Sequence, residues 1–119
     1  MNYSARKIYL TCDERTLQEW ASFMRAHMDD VAESLRQERV RHELWFSGKD
    51  SGGLFVIGVM DVDDQQDASN IAQDSISEVD LAHKEFKKHW DRTKSTALAI
   101  SPTRAPTFEG CTLLFEARP

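Results

Sequence analysis

The sequence predicts an α+β fold that forms one domain over residues 1–119. Short segments alternate apolar with polar residues, which is typical of strands, and two longer segments space their apolar residues by three and four, which is typical of helices. Hydrophobic residues make up 40% of the chain and charged residues 29%, as in an ordinary folded protein. This length allows one modest core.

The first strand is predicted over residues 6–12, RKIYLTC, because its apolar residues fall on one face. Asp13 is well suited to cap the helix that follows, and this helix is predicted to run to about Arg39. Its apolar stripe has helical spacing and consists of Leu17, Trp20, Ala21, Met24, Met28, Val31 and Leu35.

The middle of the chain predicts a hairpin. Residues 40–47 and 54–62 read as two strands, and the link GKDSGG between them is rich in turn-forming residues. A phosphate-binding loop is not expected there, since the glycine spacing differs and no Lys-Ser/Thr pair ends the link.

A second helical region is predicted from about Gln65 to Arg92, with a kink near Ser77. The last strand is predicted over residues 111–117, CTLLFEA, after a connector over residues 94–110 that contains two prolines. Connectors of this length are often binding loops or lids.

The predicted order, β-α-β-β-α-β, is that of the ferredoxin-like fold, in which a four-stranded antiparallel sheet carries two helices on one face. In this fold the first and last strands lie side by side. One register then makes every cross-strand pair favourable. Its pairs are Ile8 with Phe115, Leu10 with Leu113, Cys12 with Cys111, Lys7 with Glu116, and Tyr9 with Leu114. The redox state of the two cysteines stays open.

The face of the sheet opposite the helices is expected to be half apolar and half ionisable. If Leu44 and Phe46 pack under the helices, alternation leaves Glu43 and Trp45 on this open face. An apolar patch of that size on a small protein usually marks an interface. We therefore expect a homodimer that forms through the open sheet face.

The segments RKIYLTCD, ERTLQEW, HELWF and above all SEVDLAHKEF resemble those of the dimeric α/β-barrel proteins, which include antibiotic-biosynthesis monooxygenases. The chain looks most similar to a family of short bacterial proteins of unknown function. This resemblance covers nearly the whole chain in the order of its elements. It implies a ferredoxin-like fold, a dimer, and a pocket between sheet and helices or between two sheets, but no particular reaction.

His83 is the main candidate for chemistry. On a helical wheel it shares one stripe with Val79, Phe86 and Trp90, so it is expected to point toward the sheet. Two interpretations stay open: a neutral buried histidine with a hydrogen-bond partner, or a general base or ligand contact oriented by Glu43.

Four further residues are candidates for ligand contacts. Tyr9, Trp45 and Trp90 could either stack on a ligand or pack in the core. Glu116 could bind a ligand or pair with Lys7. No set of three side chains converges on a metal, and we expect no metal and no cofactor.

The chain carries a net charge of −5, so nucleic acid is not an expected partner. No signal peptide and no bilayer-spanning apolar run are recognisable, and a cytoplasmic protein is expected. The sequence favours a small-molecule-binding or structural role. The alternatives are a cofactor-independent enzyme of the monooxygenase or isomerase kind, and a regulatory protein-interaction module.

Overall fold

A computed structural model describes residues 1–119 and contains five strands and four helices. The strands are β1 (Tyr3–Leu10), β2 (His42–Asp50), β3 (Gly53–Asp61), β4 (Trp90–Leu98) and β5 (Thr112–Ala117). The helices are α1 (Glu14–Ala26), α2 (Met28–Glu38), α3 (Gln65–Asp74) and α4 (Glu78–Lys87). The α+β class is confirmed, but the prediction of a four-stranded ferredoxin-like sheet with two helices in the order β-α-β-β-α-β is wrong.

Each predicted helical region is divided into two helices. The Asp13 carboxylate caps α1 by accepting a hydrogen bond from the Thr16 backbone N–H at 2.9 Å, as expected. The first helical region breaks at His27, whose φ of −126° and ψ of 38° are not helical. The second breaks between α3 and α4, where Ser77 caps α4. None of the four helices has the length and apolar character required to span a membrane.

The strands form one antiparallel sheet in the order β4-β1-β3-β2-β5. The predicted pairing of the last strand with the first is therefore wrong, because β5 pairs with β2 and β4 occupies the edge beside β1. Lys7 pairs with Asp50 at 2.8 Å instead of Glu116. Cys12 and Cys111 are free thiols that pack against different core clusters.

Strand β4 was not predicted from the sequence, because it is a polar edge strand. Its sequence, WDRTKSTAL, has charged residues near one end and few apolar ones, and most of its side chains are exposed. Edge strands commonly carry such residues, which discourage pairing with other chains. The apolar alternation expected of a half-buried strand is therefore missing, and these residues were assigned to a helix end and to the connector over 94–110.

The sheet separates two apolar clusters, and all four helices pack on one side of it. Trp45 belongs to the cluster on the helix side, whereas Leu44 and Phe46 belong to the cluster on the opposite side. The predicted orientation of β2 is thus inverted. Leu44, Trp45 and Phe46 are all buried, so apolar residues follow one another without alternation and the pattern could not show which face meets the helices.

The opposite face of the sheet is covered by the same chain. Ile100 and Phe108, from the segment between β4 and β5, pack against it, and the Phe108 ring centroid lies 5.1 Å from that of Phe46. Phe46 is only 6% exposed as a result. The apolar residues on this face are therefore covered within one chain, and the homodimer stays a prediction.

Candidate functional site

A cavity of about 870 Å³ lies between the helices and the sheet. Helices α2, α3 and α4 and strands β1 to β4 all contribute side chains to its wall. Helix α3 contributes the small residues Ala68, Ser69 and Ala72 and also three longer ones, Gln65, Gln66 and Gln73. The volume falls within the range of roughly 300–1,000 Å³ that is usual for small-molecule sites.

Three ring side chains on the cavity wall lie against an aromatic part of the core. Trp45 and Trp90 line the cavity together with His83. Trp20 lies behind them, with its ring centroid 4.2 Å from that of Phe86 and 5.6 Å from that of His83. The His83 and Trp45 centroids are 5.3 Å apart. The imidazole is thus held between indole rings.

Gly58 of β3 allows Trp45 to take this position. It lies opposite Trp45 in the β2–β3 ladder, and a Cβ atom at Gly58 would be 2.8 Å from the nearest carbon of the indole ring. The glycine therefore leaves room for the ring to lie across the neighbouring strand.

Replacing Gly58 by alanine is expected to destabilise the protein by about 1–3 kcal/mol, because the methyl group would displace the Trp45 ring. The loss in the free energy of unfolding is measured by urea denaturation, which is monitored by circular dichroism. A Trp45→Phe change in the same chain should recover part of it, since the smaller ring leaves more space. If the stability losses of the two single variants simply add up in the double variant, this steric explanation is contradicted.

His83 is enclosed by protein but retains part of its surface toward the cavity. Its Nδ1 atom is buried and has no hydrogen-bond partner. Burial lowers the pKa of His83 to about 3, and the nearby Lys87 ammonium acts in the same direction. The imidazole is therefore neutral near pH 7. The hydrogen bond expected from Glu43 is absent, so Glu43 does not orient the ring in this structure.

Two carboxyl groups on the same wall are difficult to ionise. Burial raises the pKa of Glu43 to about 7, and the Trp45 side chain offsets part of that rise. Burial also raises the pKa of Glu38, to about 8, and the negative charge of Glu43 adds to the effect. Near pH 7 both carboxyl groups therefore stay protonated in a large part of the molecules.

Other charged groups on the wall already have partners within the protein. The Asp80 carboxylate accepts hydrogen bonds from the hydroxyls of Ser34, Ser75 and Ser77. The Lys84 ammonium donates to the carbonyl oxygens of Gln73 and Ser75, near the end of α3. These two charges hold the α3–α4 junction together.

The structure brings four of the six predicted site residues to one cavity: His83, Glu43, Trp45 and Trp90. Tyr9 and Glu116 lie elsewhere. The Tyr9 hydroxyl donates to the Asp50 carboxylate, and its ring packs on the face of the sheet away from the helices. Glu116 contacts His42 Nε2 at 3.3 Å.

Glu38 and Lys87 also line the cavity and were not predicted. A signal for each was present in the sequence. Glu38 continues the helical spacing of Val31 and Leu35, so it falls on the buried face of α2. Lys87 lies four residues after His83 and therefore on the same side of α4.

Comparison with known proteins gives a family and no function. No group of three or more His, Cys, Asp or Glu side chains is placed to hold a metal ion. No curated protein and no solved structure matches the chain. A family model described as a family of unknown function (DUF6176) matches residues 10–107. Since this match spans most of the sequence, the chain belongs to the family of unknown function DUF6176.

Proposed function

We propose that this protein binds a small organic molecule in the cavity between its helices and its sheet. One observation carries the proposal: buried polar atoms without hydrogen-bond partners belong to side chains that line this cavity. These atoms are Nδ1 of His83 and Nε1 of Trp90. The large majority of buried polar side-chain atoms in proteins are paired, so two unpaired ring nitrogens on side chains of the cavity wall make this part of the interior unusual.

The energetics of packing and hydrogen bonding also support a ligand site. An unpaired buried donor or acceptor costs about 1–3 kcal/mol. A purely structural core would be packed densely. Here a space of about 870 Å³ remains open between the helices and the sheet. The wall combines apolar side chains with several polar and charged ones, and converging polar groups are the usual means by which a pocket orients a ligand.

A fragment library tested by saturation-transfer NMR would detect such binding. The matched variants are Ala72→Phe, which fills the cavity, and Ala105→Phe, which adds the same ring on an exposed loop. We expect compounds that bind the wild type and the Ala105 variant but not the Ala72 variant. The proposal would fail if no compound binds, or if binding survives unchanged when the cavity is filled.

A cofactor-independent enzyme is the second candidate, favoured by the pKa of about 7 at Glu43. A carboxyl group with this pKa can both accept and donate a proton near neutral pH, as a general acid–base catalyst must. Compounds that bind the cavity should then be converted by the wild type and not by Glu43→Gln, with conversion followed by mass spectrometry. Unchanged compounds, or equal conversion by both proteins, would exclude this role for Glu43.

A further inference from the structure

We propose that Lys87 is a nucleophilic lysine that forms an imine with a small aldehyde or ketone bound in the cavity. This inference rests on the proposed function of the cavity, and it names both the class of ligand and the atom that bonds to it. It follows from the position of the Lys87 amine on the cavity wall and from the groups that surround this amine.

Helix α4 and its C-cap carry three lysines, and only one of their amines lacks a polar partner. The Lys84 amine donates to two backbone carbonyl oxygens near the end of α3, and the Lys88 amine lies 2.8 Å from the Glu85 carboxylate. Lys87 has neither a hydrogen bond nor a salt bridge, although it is partly buried in the cavity wall. Buried charged groups in proteins are normally paired, so this position favours the neutral amine.

Other cations lie beside the Lys87 amine. Its nitrogen is 5.3 Å from the centroid of the Trp90 ring, and the Arg92 guanidinium is 5.9 Å from the same centroid. Lys84 precedes Lys87 by three residues, so the two lie on the same side of α4. Neighbouring positive charge and burial both disfavour the protonation of an amine. These are the two conditions under which proteins activate a lysine as a nucleophile.

The surroundings of Lys87 act on its protonation in both directions. Burial is the largest cause that lowers the pKa of its ammonium group, and the charges of Arg92 and Lys84 add to this effect. Glu38 and Glu43 act in the opposite direction, and the pKa of Lys87 is lowered despite them. Since both carboxyl groups are themselves difficult to ionise, they oppose the loss of this proton only in part near pH 7.

The reaction joins the Lys87 nitrogen to the carbonyl carbon and releases one water. The neutral amine attacks the carbonyl carbon, and one N–H proton passes to the carbonyl oxygen, which gives a carbinolamine. The new hydroxyl group then leaves as water together with the second N–H proton, and a C=N bond remains. Atoms and electrons balance without an oxidant or a reductant. The rings of Trp45 and Trp90 on the same wall favour an apolar body on the carbonyl compound.

Limiting benzaldehyde with sodium cyanoborohydride at neutral pH tests this assignment, because the reductant converts an imine into a stable secondary amine. Peptide mapping by mass spectrometry then gives the rate of modification at each lysine. We expect Lys87 to react at least about tenfold faster than its exposed neighbour Lys88, because the cavity holds the carbonyl group beside the amine. Lys87→Arg should lose the fast reaction and Lys88→Arg should keep it. Ala72→Phe, which fills the cavity, should slow the reaction at Lys87 to the rate of Lys88.

Equal rates at Lys87 and Lys88 in the wild type would overturn the assignment of the nucleophile, while cavity binders from the fragment library would still support a ligand site. A fast reaction at Lys87 that persists unchanged in Ala72→Phe would also overturn it, since the aldehyde would then not react from the cavity. Equal rates together with failure of the fragment library would overturn the proposed function as well. The two lysines are compared within the wild-type chain, so the result does not depend on the folding of any variant.

Discussion

Replacing Trp20 by alanine is expected to destabilise the protein by about 3–5 kcal/mol, a large share of the stability of a domain of this size. Trp20 is buried in the centre of the helix-side cluster. Its ring contacts those of Trp45, His83, Phe86 and Phe115. Removing it opens a void beneath the cavity wall, and the neighbouring rings lose their support. Urea unfolding monitored by far-ultraviolet circular dichroism measures the loss.

A Trp20→Phe variant is the matched control. It keeps an aromatic ring and removes an indole N–H that is buried without a hydrogen-bond partner. We expect it to cost less than about 1.5 kcal/mol, because the smaller void is partly offset by the removal of an unpaired donor. If the alanine and phenylalanine variants were equally stable, Trp20 would not be the support that its contacts indicate.

Replacing Glu38 by glutamine is expected to stabilise the protein at about pH 9 by up to about 4 kcal/mol while changing little at about pH 5. In the folded protein the pKa of Glu38 is raised to about 8, from 4.5 in a model compound. The folded state therefore holds a proton that the unfolded chain releases, and stability falls as the pH rises from about 4.5 toward 8. Glutamine has nearly the same shape and cannot ionise, so the stability of the variant should not fall in this way as the pH rises.

The test is a comparison of urea unfolding at both pH values for the wild type, Glu38→Gln and Glu109→Gln. Glu109 is exposed on the loop before β5, and its replacement should change stability by less than about 0.5 kcal/mol at either pH. A Glu38→Gln variant that is no more stable than the wild type at pH 9 would mean that the carboxylate is neutralised within the protein.

Much of the local structure could be predicted from the sequence where one side of an element is buried. The alternation of β1, the stripe of α1 and the Asp13 cap all appear as expected. The hairpin between β2 and β3 does as well. The stripe of α1 comes from one apolar face and one polar face, which is the condition under which periodicity is informative. Strands β1, β2 and β3 have buried residues on both faces, and the hairpin was recognisable from its turn residues instead.

The order of the strands in the sheet could not be predicted, because the sequence does not show which edge of the sheet β5 occupies. The apolar residues of β5 could pair with either β1 or β2, and β4 carries too few apolar residues to be recognised as the strand that occupies the β1 edge. Assigning β5 to β1 then placed Glu116 beside Lys7. Both errors come from the polar sequence of one edge strand.

The candidate site was predicted in part. The helical stripe correctly directed His83 and Trp90 toward the sheet, and both line the cavity. Trp45 and Glu43 were placed on the wrong face, because β2 is buried on both sides. The break between α3 and α4 lies where the kink near Ser77 was predicted, but the periodicity does not show the space that these helices leave above the sheet.

The measurement that tests the central claim most directly is an NMR titration of the His83 imidazole, assigned with His83→Gln, with and without compounds that bind the protein. The structure predicts a ring that stays neutral from about pH 8 to about pH 5, because its pKa is lowered to about 3, and whose signals shift when a compound enters the cavity. A ring that titrates near 6.5, as a solvated histidine does, would contradict the burial on which the site is built. A neutral ring that no bound compound affects would mean that His83 is a core residue and that the cavity is not a ligand site.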